Sequence, residues 1–167
     1  VNSIPKLGLA QIIAHISIIP MIMWAEQIHY VIAFVVYLLT MCFGMSMTYH
    51  RLLSHQSWKA PKWFNFIGLC LGTYGLTGSS ISWVAIHRQH HAHTDLELDP
   101  HSPHNTHPLK VQFFSMIPKP NLFKFAKDLV KDPLHRMFHR GYWMFHTTAV
   151  MVLLAIDPFA IIYAYLF

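Results

Sequence analysis

Ile28-His29-Tyr30-Val31-Ile32-Ala33-Phe34-Val35-Val36-Tyr37-Leu38-Leu39-Thr40-Met41-Cys42-Phe43-Gly44-Met45-Ser46-Met47-Thr48 is an unbroken, largely apolar run, and it leads directly into Tyr49-His50-Arg51-Leu52-Leu53-Ser54-His55. A helix crosses about 30 Å of hydrocarbon with roughly 20 apolar residues, so the run predicts a membrane span that delivers two histidines to one surface. Working outward, Gly8 to Trp24 is a second apolar run, separated from the first only by Ala25-Glu26-Gln27. The pair predicts a helical hairpin with a tight turn, kinked at Pro20. Near the other end, Tyr142 to Phe167 is apolar but interrupted by Asp157-Pro158. A charge followed by a helix breaker predicts a turn at the far interface, with Tyr142 to Ile156 as a third span and Phe159 to Phe167 as the start of a fourth. The expected fold is therefore all-α, with multi-pass transmembrane helices and a histidine-rich region on the cytoplasmic side.

Composition supports a lipid-facing chain. Hydrophobic residues make up 54% of the 167 and charged residues 11%, against about 25% charged in soluble domains. In the hairpin arrangement all twelve basic residues, from Lys6 to Arg140, fall on one side, whereas the far turns carry Glu26 and Asp157. That asymmetry predicts a cytoplasmic basic side and accounts for the net charge of +5 without nucleic acid, for which no motif is present. Asn121 to Lys131 predicts one basic amphipathic helix, capped by Asn121 and ended by Pro133, with Phe123, Ala126, Leu129 and Val130 on one face. Cys42 and Cys70 read as small buried hydrophobes. No cleavable leader is read.

The chain carries fourteen histidines against seven acids, more imidazole than a core or surface needs. Two clusters hold five of them: His50 and His55, spaced H-x4-H, and His87-Arg88-Gln89-His90-His91, spaced H-x2-H-H. On a helix His87, His90 and His91 fan over one face. His50 and His55 would stand about 140° apart on a straight α-helix. Either that helix ends near Ser54, or the two rings reach different ions. Neutral imidazole suits iron, zinc, copper or nickel. The lack of thiolate partners and the excess of histidines weigh against structural zinc. His15, His29 and His146 read as ordinary packed or hydrogen-bonded residues, and His104 and His107 as loop.

The arrangement resembles the integral-membrane fatty-acid desaturases, especially their acyl-CoA and acyl-lipid delta-9 branch. Three segments carry the resemblance: Tyr49 to His55, Trp83 to Asp95, and Asp99-Pro100-His101-Ser102-Pro103. It covers roughly residues 30 to 167. It implies a single partial desaturase domain over 1–167, in which a centre of two non-haem iron ions uses dioxygen to place a cis double bond in an acyl chain. By resemblance His50, His55, His87, His90 and His91 are iron ligands, Trp83 lines the acyl channel, and Arg88 is a candidate for the acyl head group. His93, Asp95, Asp99 and His101 are candidate orienting groups or extra ligands, the two acids holding imidazoles in place or else terminating the helix before Pro100. The substrate would be a fatty acyl chain on CoA, acyl-carrier protein or lipid. The electron donor would be of ferredoxin or cytochrome b5 type.

The family carries a third H-x2-H-H box, and none is present here. The expectation is a C-terminally truncated chain, inactive by itself. Because His55 and His87 must reach one site, the apolar stretch Trp63 to Ile86 is expected to dip in and return rather than cross. A hydroxylase or ketolase using the same boxes, an inactive fragment, and a non-enzymatic metal or haem carrier are the alternatives.

Overall fold

The computed structural model describes residues 4–105, 107–109, 120–157 and 159–165, and among these every regular element is helical. The elements are α1 (Ile4–Ile16), α2 (Ile18–Trp24), α3 (Gln27–Tyr37), a π-helix continuing it (Leu38–Ser54), α4 (Lys62–Tyr74), α5 (Ser80–Ala92), α6 (Leu122–Phe125), α7 (Lys127–Lys131), α8 (Pro133–Arg140), α9 (Tyr142–Ile156) and α10 (Ala160–Ala164).

The first two apolar runs are helical where predicted, joined by a short break at Ala25–Glu26. Pro20 lacks an N–H and crowds the carbonyl four residues back, so α1 stops at Ile16 and the bend falls there, not at the proline itself. Glu26 and His29 cap α3 reciprocally, with His29 Nδ1 accepting the Glu26 N–H at 2.9 Å. Lys6–Trp24 and Gln27–Ser54 are long and apolar enough to cross a membrane, by length and composition. Their outer faces are apolar: Ile22, Met23, Trp24 and Phe34 are all more than 60% exposed. Water is a poor cover for so continuous an apolar surface.

The π-helix is the departure from the α-helix assumed above. Its backbone bonds run to the fifth residue back, as from His55 N–H to the His50 carbonyl at 3.0 Å. Side chains reinforce the wide register: the Thr48 and Ser54 hydroxyls donate to the carbonyls of Phe43 and Tyr49, also five residues back, at 2.9 and 2.8 Å. Helix α4 runs antiparallel along this element at very close range. A Cβ on Gly44 would meet the Gly72 nitrogen at 2.5 Å, and one on Gly72 would collide with the Tyr49 ring. Tyr49, fully buried, pairs its hydroxyl with Thr73 Oγ1 at 3.0 Å. After Tyr74 the chain turns through Leu76 and Gly78, both at positive φ, and α5 returns toward His55. The core of Tyr49, Leu53, Leu69, Ile81, Val84, Ala126, Leu129 and Phe138 joins the π-helix, α4, α5 and the α6–α8 segment.

The single amphipathic helix expected over Asn121–Lys131 is two short ones, broken at Ala126 (φ −130°). Asn121 does cap the first, accepting from the Lys124 N–H at 3.0 Å. Ala126 and Leu129 are buried, but Phe123 is 74% exposed, because the break rotates it off their shared face. Pro133 opens α8 rather than only ending its predecessor, with the Asp132 side chain capping the Leu134 N–H at 2.7 Å; proline at a first helical turn loses no bond. Helix α9 ends at Ile156, and the Asp157 carboxylate accepts from the Phe159 N–H at 2.9 Å and from the Tyr163 hydroxyl. Of the expected fourth span, α10 covers Ala160–Ala164, while Pro158, Leu166 and Phe167 lie outside the described residues.

Two histidines of α8 brace the start of α5. His139 Nδ1 lies 2.6 Å from Ser79 Oγ and His135 Nδ1 lies 3.0 Å from Ser80 Oγ. Burial holds the His135 ring below its ordinary value of 6.5, against the opposing pull of Asp132 and Asp128. Above pH 6.5 neither state carries the proton. Between 6.5 and that lowered value the unfolded chain binds a proton that the folded chain does not, so stability falls as pH falls through that window. His135→Gln is expected to flatten the loss of thermal stability between pH 7 and 5, by up to about 1.4 kcal/mol per pH unit, as read from unfolding midpoints in detergent. The Gly44–Gly72 contact predicts that Gly44→Ala destabilises the chain by about 1–3 kcal/mol, whereas Gly75→Ala, whose Cβ has its nearest neighbour at 3.4 Å, is near neutral in the same assay.

Candidate metal centre

The π-register decides how the first cluster points. Bonds to the fifth residue back stack residues five apart, so His50 and His55 share a face that a straight α-helix would deny them. Their Nε2 atoms are 3.1 Å apart. At the end of the element Gln56 takes a left-handed conformation (φ 50°) and the Ser57 N–H caps the Arg51 carbonyl at 3.0 Å, which turns the chain away without moving His55 off the cluster. In α5, His87 and His91 are neighbours four apart, and their Nε2 atoms are also 3.1 Å apart. His55 Nε2 reaches His87 Nε2 at 3.1 Å across the two elements. The ligand atoms of His50, His55, His87 and His91 all lie within 4.8 Å of one another.

The donor set fits a transition-metal ion. Two nitrogens each about 2.1 Å from one ion are roughly 3.0–3.4 Å apart at ordinary coordination angles, the spacing seen here. Neutral rings are required, and burial, with the neighbouring imidazoles adding to it, pushes His87 down to about 3. The cluster is half-buried on His50 and His87 and open on His55 and His91.

Trp83 stacks flat on His87, with centroids 4.8 Å apart and planes 14° apart, and meets His50 edge-on at 6.3 Å. It therefore orients two rings of the cluster. His90 stands beside the foursome, its ring 5.6 Å from that of His91. Its Nδ1 is 2.8 Å from Asp99 Oδ1, and that fully buried carboxylate also accepts the N–H groups of His101 and Asp95 at 2.8 Å. Burial works against the Asp99 carboxylate, but these hydrogen bonds outweigh it and hold the group below the usual carboxylate range. Asp95, at φ 61°, has Ser102 Oγ 3.4 Å from its carboxylate and touches no box imidazole. His101 keeps a buried Nε2 without a hydrogen-bond partner, its ring 5.6 Å from that of His90. His93 caps the end of α5 and meets Phe125 edge-on.

Arg88 differs most from its expected role. All five of its N–H donors are used inside the chain: on the carbonyls of Leu53 (2.7 Å), Ser54 (3.1 Å) and Phe125 (2.9 Å), and on both oxygens of Asp128 (2.8 and 2.9 Å). None remains for an acyl head group. Asp128 and Gln56 were not legible as site residues, nor were Ser79, Ser80, His135 and His139 as braces. Their partners lie tens of residues away, and the only hint was an unexplained surplus of histidine in α8.

Comparison with known proteins agrees with this geometry. The profile of the fatty acid desaturase family matches residues 28–167. The chain is 35% identical over 117 residues to an sn-2 palmitoyl-lipid 9-desaturase of Nostoc sp. (strain 36), covering 66% of this chain and 41% of that protein. It is 31% identical over 127 residues to an sn-1 stearoyl-lipid 9-desaturase of Anabaena variabilis, covering 74% and 46%. It is 42% identical over 72 residues to a chloroplastic palmitoyl-monogalactosyldiacylglycerol delta-7 desaturase of Arabidopsis thaliana, covering 43% and 19%. The chain thus spans less than half the length of these relatives. No solved structure matches it. Two histidine clusters converging at the meeting of a long apolar helix with its returning neighbour, and a profile match over most of the length, place the chain in the fatty acid desaturase family.

Proposed function

We propose that this chain is the part of a membrane fatty-acyl desaturase that carries the first two histidine boxes of a centre of two non-haem iron ions. The observation that carries the reading is the convergence of four imidazole nitrogens from two separate elements. Imidazole is a ligand for redox-active iron, and the chain's relatives are named as desaturases. The reaction is removal of two hydrogens from adjacent acyl methylenes to leave a cis double bond. Dioxygen, two electrons from a ferredoxin or cytochrome b5 type donor, and two protons complete the balance as two waters. No amino-acid side chain attacks a saturated methylene; the iron pair supplies that chemistry when bound.

The chain's own residues hold and orient. His50, His55, His87 and His91 present Nε2 to the shared space. His90, with Nδ1 engaged by Asp99, keeps Nε2 as its ligating atom, the usual division of labour in an imidazole ligand. Trp83 fixes the planes of His87 and His50 and stands where an acyl chain would approach the cluster. Position 9 is the assignment favoured by two of the relatives named above, with CoA, acyl-carrier protein or lipid as carrier. The exposed apolar faces of Lys6–Trp24 and Gln27–Ser54 support burial in lipid. Their basic ends and the lysines of α6 and α7 support a cytoplasmic position for the site.

In the full-length protein, two irons per chain are expected by elemental analysis, and a desaturase-deficient host expressing it should gain a cis-monounsaturated product by gas chromatography of its fatty acids. His87→Ala should remove both iron and product, and Asp99→Asn should weaken metal affinity about 10–100-fold. Full iron occupancy and product in His87→Ala, or a haem absorption band in the purified protein, would overturn the assignment. Single cysteines at positions 59 and 124 should be labelled from the same membrane side by an impermeant reagent; labelling from opposite sides contradicts the topology.

A further inference from the structure

The residues that immediately follow two of the clustered histidines are tied to one carboxylate. Gln56 follows His55, and Arg88 follows His87. Asp128, on α7, accepts from both: from Gln56 Nε2 at 3.1 Å and from both terminal nitrogens of Arg88 at 2.8 and 2.9 Å. Of the remaining Arg88 donors, one reaches the Phe125 carbonyl and two reach the carbonyls of Leu53 and Ser54. The latter two are the last carbonyls of the π-helix, where a helix end leaves acceptors without intrahelical partners. One guanidinium therefore closes the end of the element that carries His50 and His55, from a position one residue away from His87. The carboxylate on a third element holds that guanidinium in a two-bonded fork.

We propose that Arg88 and Asp128 are positioning residues that set the register between the two histidine clusters and so tune the metal site; this rests on the metal-binding role given above. Neither group touches the cluster's Nε2 atoms. Their effect passes through the backbone at Ser54–His55 and His87–Arg88. The clamp needs arginine. Lysine keeps the charge, but it has one nitrogen and no planar fork, and cannot serve three carbonyls and a carboxylate together. Gln56 is the weaker third arm, since it adds a single neutral hydrogen bond to Asp128.

The full chain, purified in detergent, can be titrated with Co2+, whose visible spectrum reports both affinity and coordination geometry. His87→Ala serves as the site control and Lys127→Ala as a control for altered charge beside Asp128. Arg88→Lys and Asp128→Asn are expected to bind Co2+ about 10–100-fold more weakly than wild type, with shifted visible bands, while retaining helical circular dichroism. Lys127→Ala is expected to match wild type in both. Folded Arg88→Lys and Asp128→Asn variants with wild-type affinity and spectrum would overturn the clamp alone, since wild-type binding lost in His87→Ala leaves the metal reading intact. If Arg88→Lys fails to fold, Asp128→Asn and Gln56→Ala decide: weakened binding with shifted bands in Asp128→Asn supports the proposal, and unchanged binding in both overturns it. A wild-type chain that takes up no Co2+ removes the metal reading and the clamp with it.

Discussion

Four imidazole nitrogens spaced at metal-ligand distances are the constraint around which the described residues are organised. Holding four imidazoles this close restricts each ring, so the surrounding structure must fix them there. The π-helix supplies the first part of that hold by stacking His50 over His55. The ordinary fourfold spacing of α5 supplies the second, aligning His87 with His91. The two pairs then have to meet, and their meeting at 3.1 Å between His55 and His87 depends on how the two elements are packed.

That packing is made of small residues and local polar bonds. Gly44, Gly68 and Gly72 let α4 approach the π-helix backbone to a distance at which a methyl group has no room. Such small-residue interfaces are how apolar helices gain contact where water offers no hydrophobic drive between them. Inside this region the Tyr49 hydroxyl is satisfied in place by Thr73. At the other end of α5, Ser79 and Ser80 are held by His139 and His135. Helix α5 is thus held at its start by α8 and near its end by Arg88 and Gln89, the latter bonding the Leu98 carbonyl and accepting the Asn121 N–H. A helix fixed at both ends presents its histidines with little freedom to drift.

The polar and apolar halves of the chain divide the work. The long helices expose apolar side chains outward, while basic and hydrogen-bonding residues gather around the histidine end. This division would suit the acyl substrate proposed above, which is apolar along most of its length and polar at one end. Trp83 shields part of the cluster by covering the face of His87.

By resemblance of its histidine boxes the sequence pointed to the family; by itself it determined the helical class, the two long apolar helices, the turn at Ala25–Glu26 and the cap at Asn121. These follow from local composition, hydrophobic run length and residue spacing, which act within a few residues. It also made His87 and His91 legible as a pair, since fourfold spacing means one face on any α-helix. Only the tertiary structure decided that His50 and His55 share a face. The π-register is a choice of backbone bonding made in contact with α4, and no residue pattern announces it. The tertiary structure also decided that Arg88 is consumed by Leu53, Ser54, Phe125 and Asp128. A side chain's partners 34 to 40 residues away are a consequence of packing, to which local spacing is blind.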